Sequence, residues 1–380
     1  MRVLHVITGL GVGGAEHQLR LLLTRLPHEC EVVTLTSPGP VADAIRADGT
    51  PVHVRGMRGN RDLSAVPRLA RLMRAGCFDV VHTHLYRAGV YGRIAARLAG
   101  VPHVVATEHS LGDGLIEGRP TTRAVRALYL ATERLGHTTI AVSGAVAGRL
   151  RDWGVDRDRI AVVPNGIDAD ELRFDPALRD AARDRLGISR HARVIGTVGR
   201  LVPSKRTDVL VRALTRVPDA TLLVVGDGPE RAALERLVRE SGLDGRVVFA
   251  GTSPYPREPL CAMDVFAAPS VQETFGMAVL EALAAGLPAL YVTCPPLEEL
   301  SPDAAPHAHR LPPDAPSLVD GLRTELARLD ARGGTRLPVP PAVAHYDIAR
   351  LADVVGQVYE HVARRSRAVS RYRLIESEGS

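Results

Sequence analysis

Lysine is almost absent from this sequence of 380 residues. Of the 48 lysine and arginine residues one is a lysine, Lys205, which leaves 47 arginines, and asparagine occurs only as Asn60 and Asn165. This bias is typical of proteins encoded by GC-rich DNA, in which arginine replaces lysine at ordinary surface positions. A lysine retained between Ser204 and Arg206 is therefore a candidate functional residue.

The sequence also lacks paired cysteines, a long apolar segment and a signal peptide, and each of these absences excludes a class of protein. The four cysteines lie far apart with no CxxC pair, which argues against a zinc or disulfide framework and for reduced thiols. No apolar stretch reaches the roughly 18 residues of a membrane-spanning helix, and the start "MRVLHVITGL" lacks the features of a signal peptide. We expect a cytoplasmic protein, with peripheral contact at the inner face of the membrane left open.

The net charge is small and unevenly distributed. Residues 1–170 contain 21 arginines against 16 acidic residues, a difference of +5, and the remainder contains 27 basic against 27 acidic residues. Nucleic-acid binding usually needs a concentrated basic stripe, so we expect no nucleic-acid partner. An anionic acceptor, a membrane surface and simple solvation of scattered arginines all remain compatible with this excess.

Strand-like and helix-like segments alternate along the chain. "RVLHVIT", "GAEHQLRLLLTRL" and "EVVTLTS" read as strand, helix and strand, and the alternation restarts at "ARVIGTVGR" after a polar stretch near residues 169–192. Such alternation predicts βαβ units around parallel sheets. We predict α/β architecture with domains over 1–172 and 173–345, a final helix near 346–366 and a tail over 367–380 with disorder. Ligands should bind beyond the strand ends, in a cleft between the domains.

A glycine-rich turn follows the first predicted strand. "GLGVGGAEHQ", residues 9–18, contains a GxGxxG pattern at Gly9, Gly11 and Gly14. Glycines let the backbone approach a ligand, and the amides at a helix N-terminus favour a phosphate. A dinucleotide site would also need an acidic residue about 20 positions further on, where "EVVTLTSPGP" offers none. NAD binding therefore stays a minor alternative.

Two cations and two carboxylates are grouped in the second half. "GRLVPSK" places Arg200 and Lys205 in the loop after a strand, and "SVQETFGMAVLEALAAGLP" places Glu273 before a helix and Glu281 inside it. The amides at the start of that helix could hold a diphosphate. Together these groups suit a nucleotide sugar, since cations bind the diphosphate and carboxylates bind hydroxyls.

In its motifs and their order the chain resembles the retaining glycosyltransferases of family 4, which have the GT-B fold. The segments that carry the resemblance are "GVGGAE", "DVVHTH", "TEHS", "VVPNGID", "VGRLVPSKR", "VGDGPER" and "ETFGMAVLEALAAGLP". It implies two Rossmann-like doubly wound domains facing a central cleft, with the C-terminal helix crossing back to the N-terminal domain. It also implies a hexosyltransferase that moves a sugar from a nucleoside diphosphate, expected to be UDP, to an acceptor hydroxyl by a front-face mechanism.

The resemblance also implies roles for individual residues. The N-terminal domain would bind the acceptor and the C-terminal domain the nucleotide sugar. The implied catalytic residues are His109, Arg200, Lys205 and Glu273. The implied donor-binding residues are Gly13, Gly14, Arg200, Lys205, Glu273, Phe275, Gly276, Met277 and Glu281. Among them, Arg200 and Lys205 would bind the diphosphate, Glu273 the sugar and Glu281 the ribose. The acceptor-side candidates are Glu16 and His84.

Metals and cofactors are not expected. No Asp-x-Asp motif supports a required divalent ion. We interpret His82 and His84, which end the strand "VVHTH", as pointing to opposite faces, and no further zinc ligand is evident at suitable spacing. One departure from the family concerns the loop "TCPPLEEL", where Pro295 and Pro296 replace the usual glycines and remove two amide donors.

Several alternatives remain at this stage. A GT-B enzyme could instead epimerise a sugar nucleotide or phosphorolyse a sugar, and a two-domain sugar-binding protein without turnover is a further, weaker reading. The acceptor could be a small natural product, a glycan or a lipid-linked sugar. The sequence leaves the oligomeric state open.

Overall fold

A computed structural model describes residues 1–59 and 61–377, with side chains as far as residue 364. The chain divides into two compact units: unit 1 contains residues 1–166 and the chain from Ile348 onward, and unit 2 is Ile167–Asp347. The last helix runs to Ser377. The predicted tail over 367–380 therefore overlaps this helix, and its residues 378–380 lie outside the described residues.

Unit 1 alternates strands and helices in the way that the sequence pattern predicts. Its elements in chain order are β1 (Arg2–Ile7), α1 (Gly14–Arg25), β2 (Glu29–Thr34), α2 (Pro40–Ala47), β3 (Val52–Val54), α3 (Ala65–Gly76), β4 (Val80–His84), α4 (Tyr86–Ala99), β5 (His103–Glu108), β6 (Leu115–Ile116), β7 (Arg119–Pro120), α5 (Arg123–Glu133), β8 (Thr138–Ala141), α6 (Gly144–Trp153) and β9 (Ile160–Val162).

The main sheet of unit 1 is parallel, with strand order β3-β2-β1-β4-β5-β8-β9. The order reverses direction between β1 and β4, which is the point where doubly wound sheets bind ligands beyond the carboxyl ends of their strands. Strands β1, β4 and β5 are buried along nearly their whole length, as expected for a parallel sheet with helices on both faces. This sheet brings the ends of β1, β4 and β5 side by side.

Unit 2 repeats the same design. Its elements are α7 (Pro176–Leu186), β10 (Arg193–Val198), α8 (Thr207–Leu214), β11 (Ala220–Val225), α9 (Arg231–Glu240), β12 (Val247–Gly251), α10 (Arg257–Ala262), β13 (Val265–Ala268), α11 (Met277–Ala284), β14 (Ala289–Tyr291), α12 (Pro295–Glu298), β15 (Ala308–Arg310), α13 (Ala315–Ala331) and α14 (Pro341–His345).

The sheet of unit 2 is also parallel, with order β12-β11-β10-β13-β14-β15. Its switch point lies between β10 and β13, so the loops after these two strands flank the predicted ligand position. Two parallel, doubly wound sheets confirm the predicted α/β class and Rossmann-like architecture.

The final helix belongs to the first unit. Helix α15 (Ile348–Ser377) packs on α1 and β5, which agrees with the prediction that the C-terminal helix crosses back to the N-terminal domain. Its Tyr359 is fully buried, and the hydroxyl lies 2.6 Å from Nδ1 of His82 in β4. The helix therefore contributes to the core of unit 1.

Two regions of unit 2 contain elements that the sequence pattern does not predict. The polar stretch 169–192 contains α7, whose Arg183 is fully buried and binds Asp264 at 2.8 Å and several backbone carbonyls. The Pro- and Ala-rich region 301–343 contains the edge strand β15 and the short helix α14 as well as α13. Composition misled here because buried charges and short edge strands give little hydrophobic periodicity.

None of the helices in residues 1–59 and 61–377 combines the length and the apolar character that crossing a membrane requires.

Candidate functional site

The loop after β10 carries the two predicted cations. Arg200 is exposed, and Lys205 ends a 3-10 turn over Pro203–Lys205. The Lys205 Nζ lies 2.5 Å from Oε1 of Glu273, in the loop after β13. The main chain joins the same loops, since the Val271 amide donates to the Ser204 carbonyl at 3.3 Å. The structure therefore brings Lys205 and Glu273 together at the switch point of unit 2.

Two glycines after β11 support the Arg200–Lys205 loop. Gly226 has φ of +131°, and a methyl group there would overlap the Gly199 carbonyl oxygen. A methyl group at Gly228 would overlap the backbone of Leu201. Hydrogen bonds from Gly199 to Val225 and from Leu201 to Asp227, both 2.9 Å, hold the two loops together. The glycines of the motif "VGDGPE" thus position the loop that carries the two cations.

Helix α11 begins at the predicted diphosphate position. Gly276 precedes it with φ of +99° and, as a glycine, has no side chain to cap the amides of its first turn. Amides at a helix N-terminus can bind an anion. The Phe275 ring is buried and packs edge-on against Tyr346 at 5.5 Å, and Met277 is buried too. The backbone at these positions, rather than the Phe275 ring, is what a donor could contact.

Glu281 is the most unusual carboxyl group in this region. It lies just over one turn into α11, is 7% exposed, and has no hydrogen-bond or ion-pair partner among the described residues. Burial raises its pKa to about 7. Burial of a carboxyl group without hydrogen-bond partners costs free energy of folding. Hydrogen bonds donated by ribose hydroxyl groups would offset this cost.

The proline loop folds as the short helix α12. Glu298 Oε1 accepts the Cys294 amide at 2.8 Å, and Glu298 also pairs with Arg310 at 3.0 Å. The Pro296 carbonyl accepts the Tyr346 hydroxyl at 2.8 Å. Intramolecular bonds thus stabilise the segment where the family has flexible glycines, and Glu298 is engaged within the protein.

The glycine-rich turn of unit 1 precedes α1 as predicted. Gly13 is extended and, as a glycine at the N-cap position, has no side chain to cap the helix. The carboxylate of Glu16 lies over Gly13, because a methyl group at Gly13 would overlap Glu16 Oε2. An anion at Gly13 and Gly14 would therefore require Glu16 to move. The structure brings Glu16 to the predicted phosphate position, whereas we assign it to the acceptor side from sequence.

The interpretation of His82 and His84 is wrong. Residues two apart on a strand share a face, and the two rings lie 4.1 Å apart between centroids. Parallel pairing of β1 with β4 places His5 beside His82. His5 is a residue that the sequence reasoning missed, because its adjacency depends on strand order.

Four histidines form a buried cluster. Nδ1 of His5 lies 3.0 Å from Nε2 of His84, and Nδ1 of His84 lies 3.2 Å from Nε2 of His109. The nitrogens of His82 contact the hydroxyl groups of Tyr359 and Thr107 at 2.6 and 2.7 Å. Burial lowers all four pKa values, to about 3 for His5 and about 4 for His109. The imidazoles are therefore neutral at neutral pH.

Ring nitrogens of three of these histidines lie within 4.8 Å of one another, close enough to share a metal ion. Both nitrogens of His82 and both of His84 already have hydrogen-bond partners. A metal bound by these nitrogens would displace hydrogen bonds that the described residues form with one another.

The predicted histidines border a pocket in unit 1. His84 and His109 line a pocket that opens to solvent, together with Gln18, Asn165 and apolar residues of α1 and α15. Gln18 accepts the Gly166 amide at 2.9 Å. Nearby in sequence, burial raises the pKa of Glu108 to about 7. In unit 2, a pocket of about 260 Å³ near Arg206 includes none of the predicted donor-binding residues.

Asp-x-Asp patterns, which we did not expect, are present in this chain. The sequence contains two such patterns, at Asp156–Asp158 and Asp168–Asp170. In both, the first carboxylate accepts the amide of the second aspartate at 3.1 Å. These aspartates shape turns in the described structure, and the expectation that no metal is required stays a prediction.

Two family models match the chain. One, described as Glycosyltransferase Family 4, matches residues 12–171, and the other, described as Glycosyl transferases group 1, matches residues 192–327. A D-inositol 3-phosphate glycosyltransferase of Mycolicibacterium smegmatis is 31% identical over 320 residues, which are 78% of this chain and 71% of the relative.

Two further curated relatives match a smaller part. A UDP-Gal:alpha-D-GlcNAc-diphosphoundecaprenol alpha-1,3-galactosyltransferase of Escherichia coli is 31% identical over 65% of this chain. A 2-deoxystreptamine glucosyltransferase of Streptomyces kanamyceticus is 35% identical over 59% of it. The chain spans less than two thirds of the length of these relatives, 66% and 62% respectively.

Solved structures share the fold. HepE of Anabaena, crystallised with UDP and glucose, aligns with a TM-score of 0.81 at 21% identity, covering 95% of this chain and all of HepE. A sucrose-phosphate synthase of Thermosynechococcus elongatus aligns with a TM-score of 0.74 at 21% identity, covering 96% of this chain and all of the synthase.

Proposed function

This chain belongs to the glycosyltransferases of the GT-B fold. We propose that it transfers the sugar of a UDP-sugar donor to an acceptor hydroxyl and releases UDP. The proposal includes membership of family 4, retention of the anomeric configuration and independence from metal. The observation that carries it is the pairing of Lys205 with Glu273 at the switch point of unit 2, beside the start of α11.

The geometry supports a division of roles within unit 2. Arg200 is exposed and Lys205 is half-buried, so both can face a diphosphate. Glu273, held by Lys205, can accept hydrogen bonds from sugar hydroxyls. The amides of Gly276 and Met277 add donors for phosphate oxygens. Glu281, which is buried without a partner among the described residues, is the group that we propose accepts hydrogen bonds from the ribose hydroxyls.

The proposed reaction proceeds on one face of the sugar. The bond between the anomeric carbon and the UDP oxygen breaks, and the acceptor oxygen forms a new bond to that carbon. The acceptor proton moves to the departing phosphate oxygen. Negative charge grows on the diphosphate in the transition state, where cations already in position stabilise it most effectively.

UDP is the proposed nucleotide because the HepE structure contains UDP and the Escherichia coli relative is a UDP-Gal transferase. Relatives act on a lipid-linked sugar, on inositol phosphate and on an aminocyclitol. We propose an acceptor from these classes, with contact to the membrane surface if the acceptor is lipid-linked.

The first test is ligand-induced stabilisation of the full chain. We expect UDP to raise the unfolding temperature more than GDP, ADP, dTDP or NAD, and EDTA to leave this response intact. A ligand at about 100 times its Kd stabilises the native state by about 2.7 kcal/mol. UMP serves as the matched control, because it lacks the phosphate that the cations are proposed to bind.

Turnover then separates the candidate activities. Incubation with UDP-glucose or UDP-galactose and an acceptor from the proposed classes should give a product whose anomeric coupling constant matches that of the donor. Inversion would contradict the retaining mechanism. Stabilisation by NAD alone, or release of sugar only with free phosphate, would contradict the transferase proposal.

Glu281 gives a prediction for pH dependence. Without ligand, the pKa of Glu281 is raised from the ordinary value of 4.5 to about 7 in the folded protein. Between pH 4.5 and about 7 the folded protein therefore binds more protons than the unfolded chain. This group therefore lowers stability as the pH rises through that window. Ribose hydroxyls favour the charged carboxylate and lower its pKa. We expect UDP binding to release a proton and to strengthen by about tenfold from pH 6 to 8.

Calorimetry in buffers of different ionisation enthalpy measures this proton release. The matched control is Glu281→Gln, which keeps the side-chain shape and removes the titration. Since the terminal phosphate of UDP titrates equally with both proteins, the difference between them isolates Glu281. Equal pH profiles for the two proteins would show that Glu281 does not contact the nucleotide.

A further inference from the structure

Tyr346 lies where the chain is about to leave unit 2. It follows helix α14, and unit 2 ends at the next residue, Asp347. Its side chain is 2% exposed. Tyr346 is distant in sequence from the predicted donor-binding residues of unit 2, which lie between residues 200 and 281, so the linear pattern gives no reason to connect it with the donor site.

The ring of Tyr346 supports the loop that precedes α11. It packs edge-on against the ring of Phe275, with 5.5 Å between the centroids and 90° between the planes, an arrangement that aromatic rings favour. Phe275 is buried as well and stands in sequence between Glu273 and Gly276. A displacement of Phe275 would therefore move two of the groups that we propose contact the donor.

The hydroxyl of Tyr346 holds the short helix α12. It donates to the Pro296 carbonyl at 2.8 Å in a buried hydrogen bond. The last carbonyl groups of a helix have no partner within the helix, and α12 has only the four residues Pro295–Glu298. The Tyr346 hydroxyl thus supplies a partner from outside this helix.

Helix α12 in turn lies against the start of α11. Cys294, which precedes α12, places its Sγ atom 3.8 Å from the carbonyl oxygens of Phe275 and Gly276. A methyl group at Gly276 would lie 3.0 Å from the same sulfur atom, so little space separates the two loops. Tyr346 therefore reaches Gly276 by two routes, directly through the ring of Phe275 and indirectly through α12.

The main chain of Tyr346 extends this network to the point where the chain enters unit 2. Its carbonyl accepts the amide of Ile167, the first residue of the unit, at 2.9 Å. Ile167 also pairs with Asp347 in a parallel bridge. The segments by which the chain enters and leaves unit 2 thus run side by side, and Tyr346 connects them with the loops of the candidate donor site.

The proline loop gives this position its weight. Pro295 and Pro296 have no amide N–H, so more of the phosphate binding falls on the amides at the start of α11. The position of these amides then depends on what holds the loops around them.

We propose that Tyr346 is a positioning residue for the donor diphosphate. Its ring and its hydroxyl hold the two loops around the start of α11 in one arrangement, so that the amides there are preorganised for phosphate oxygens. A donor bound to these amides orders the same loops and, through Tyr346, stabilises the hydrogen bond to Ile167. This role rests on the proposed function, whereas the contacts of Tyr346 belong to the protein without ligand.

Two variants separate the hydroxyl from the ring, with calorimetry on the full chain as the measurement. Tyr346→Phe removes the hydrogen bond to Pro296 and keeps the ring, and we expect the Kd of UDP to rise by about fivefold. Tyr346→Leu also removes the contact with Phe275, and we expect a rise of about thirtyfold. If Tyr346→Leu does not fold, Tyr346→Phe decides alone, because it differs from the wild type only in the hydroxyl.

Tyr359→Phe is the matched control. The Tyr359 side chain is also buried, and its hydroxyl lies 2.6 Å from Nδ1 of His82 in unit 1. Loss of this hydroxyl should lower the stability against urea by an amount similar to that in Tyr346→Phe and leave the Kd of UDP unchanged. Equal weakening of UDP binding in the two phenylalanine variants would reduce Tyr346 to a general contribution to stability and overturn the proposal.

Hydrogen exchange followed by mass spectrometry supplies a readout that does not need turnover. Without ligand, we expect the peptide that contains α12 to exchange faster in Tyr346→Phe than in the wild type, with β10 unchanged. UDP should slow exchange of the peptide that contains Ile167 in the wild type, and this protection should be lost in Tyr346→Leu. Unchanged exchange of α12 in Tyr346→Phe would contradict the positioning role.

Turnover distinguishes donor from acceptor effects. We expect Tyr346→Phe to raise KM for the donor by about fivefold and to leave KM for the acceptor unchanged. If the wild-type chain binds no nucleoside diphosphate, the proposed function is contradicted, and the role toward the diphosphate with it. If the wild type binds UDP and neither Tyr346 variant alters Kd, the proposed function is retained and the positioning role is contradicted.

Discussion

Alanine at position 205 is expected to reduce kcat/KM by about a hundred- to a thousandfold. Lys205 is the only lysine in the chain, and its Nζ lies 2.5 Å from Glu273 at the start of the proposed donor site. Removal of one preorganised group that stabilises growing negative charge has an effect of about this size. Initial rates over a range of donor concentration measure it.

Two control variants distinguish the position of the removed cation from its chemical nature. Arg236→Ala removes a cation from the exposed face of α9 and should leave the rate unchanged. Lys205→Arg keeps the charge but presents a planar guanidinium, so we expect an intermediate rate. A Lys205→Ala enzyme with normal kcat/KM would remove Lys205 from the catalytic machinery.

The scarcity of lysine makes a direct chemical test possible. An amine-acylating reagent can modify only the Lys205 ammonium and the chain terminus. Mass spectrometry should show that UDP slows acylation of Lys205 and leaves the terminus unaffected. Equal acylation with and without saturating UDP would contradict contact between Lys205 and the diphosphate.

Gly226→Ala is expected to abolish UDP binding and to destabilise unit 2 by about 3 kcal/mol. The added methyl group meets the Gly199 carbonyl, which is backbone and cannot rotate away, and φ is +131° at this position. Relief of the overlap would push away the loop that carries Arg200 and Lys205. Urea unfolding gives the stability, and calorimetry gives the affinity.

Gly242→Ala is the matched control for this variant. Gly242 also has a positive φ, +63°, but an added methyl group meets nothing within 4 Å. It should cost only the backbone strain of about 1 kcal/mol and leave UDP binding unchanged. If the two variants bind UDP equally, the contact between Gly226 and Gly199 does not position the cations.

The fold could be predicted largely because its signal is local. Apolar runs such as "RVLHVIT" and "ATLLVVGDG" alternate with helical periods, and this pattern implies parallel sheets without knowledge of any long-range contact. The missing parts are those in which tertiary contacts dominate. Strand β15 has three residues at a sheet edge, and α7 is held by the burial of Arg183, which a sequence reads as a surface residue.

In the candidate site, too, the residues that follow strands could be predicted from the sequence, whereas the contacts that depend on strand pairing could not. Arg200 and Lys205 lie in the loop after β10, and Glu273 lies in the loop after β13. Because β10 and β13 are neighbours in the sheet, these two loops lie close together. The link from His5 to His84 depends on which strands pair and is invisible in a linear pattern. The spacing of His82 and His84 did contain the correct answer, since two residues along a strand return to the same face.

The insertion of unit 2 within unit 1 has a consequence for biosynthesis. Multidomain chains generally fold from the N-terminus as they are made, yet β4 and α1 need α15, which begins at Ile348. On the ribosome, unit 2 has its whole sequence available before unit 1 does. The N-terminal half must therefore wait, with the surface that receives Tyr359 uncovered, while the later half is translated. Chaperone dependence in this protein should accordingly belong to the half that is synthesised first.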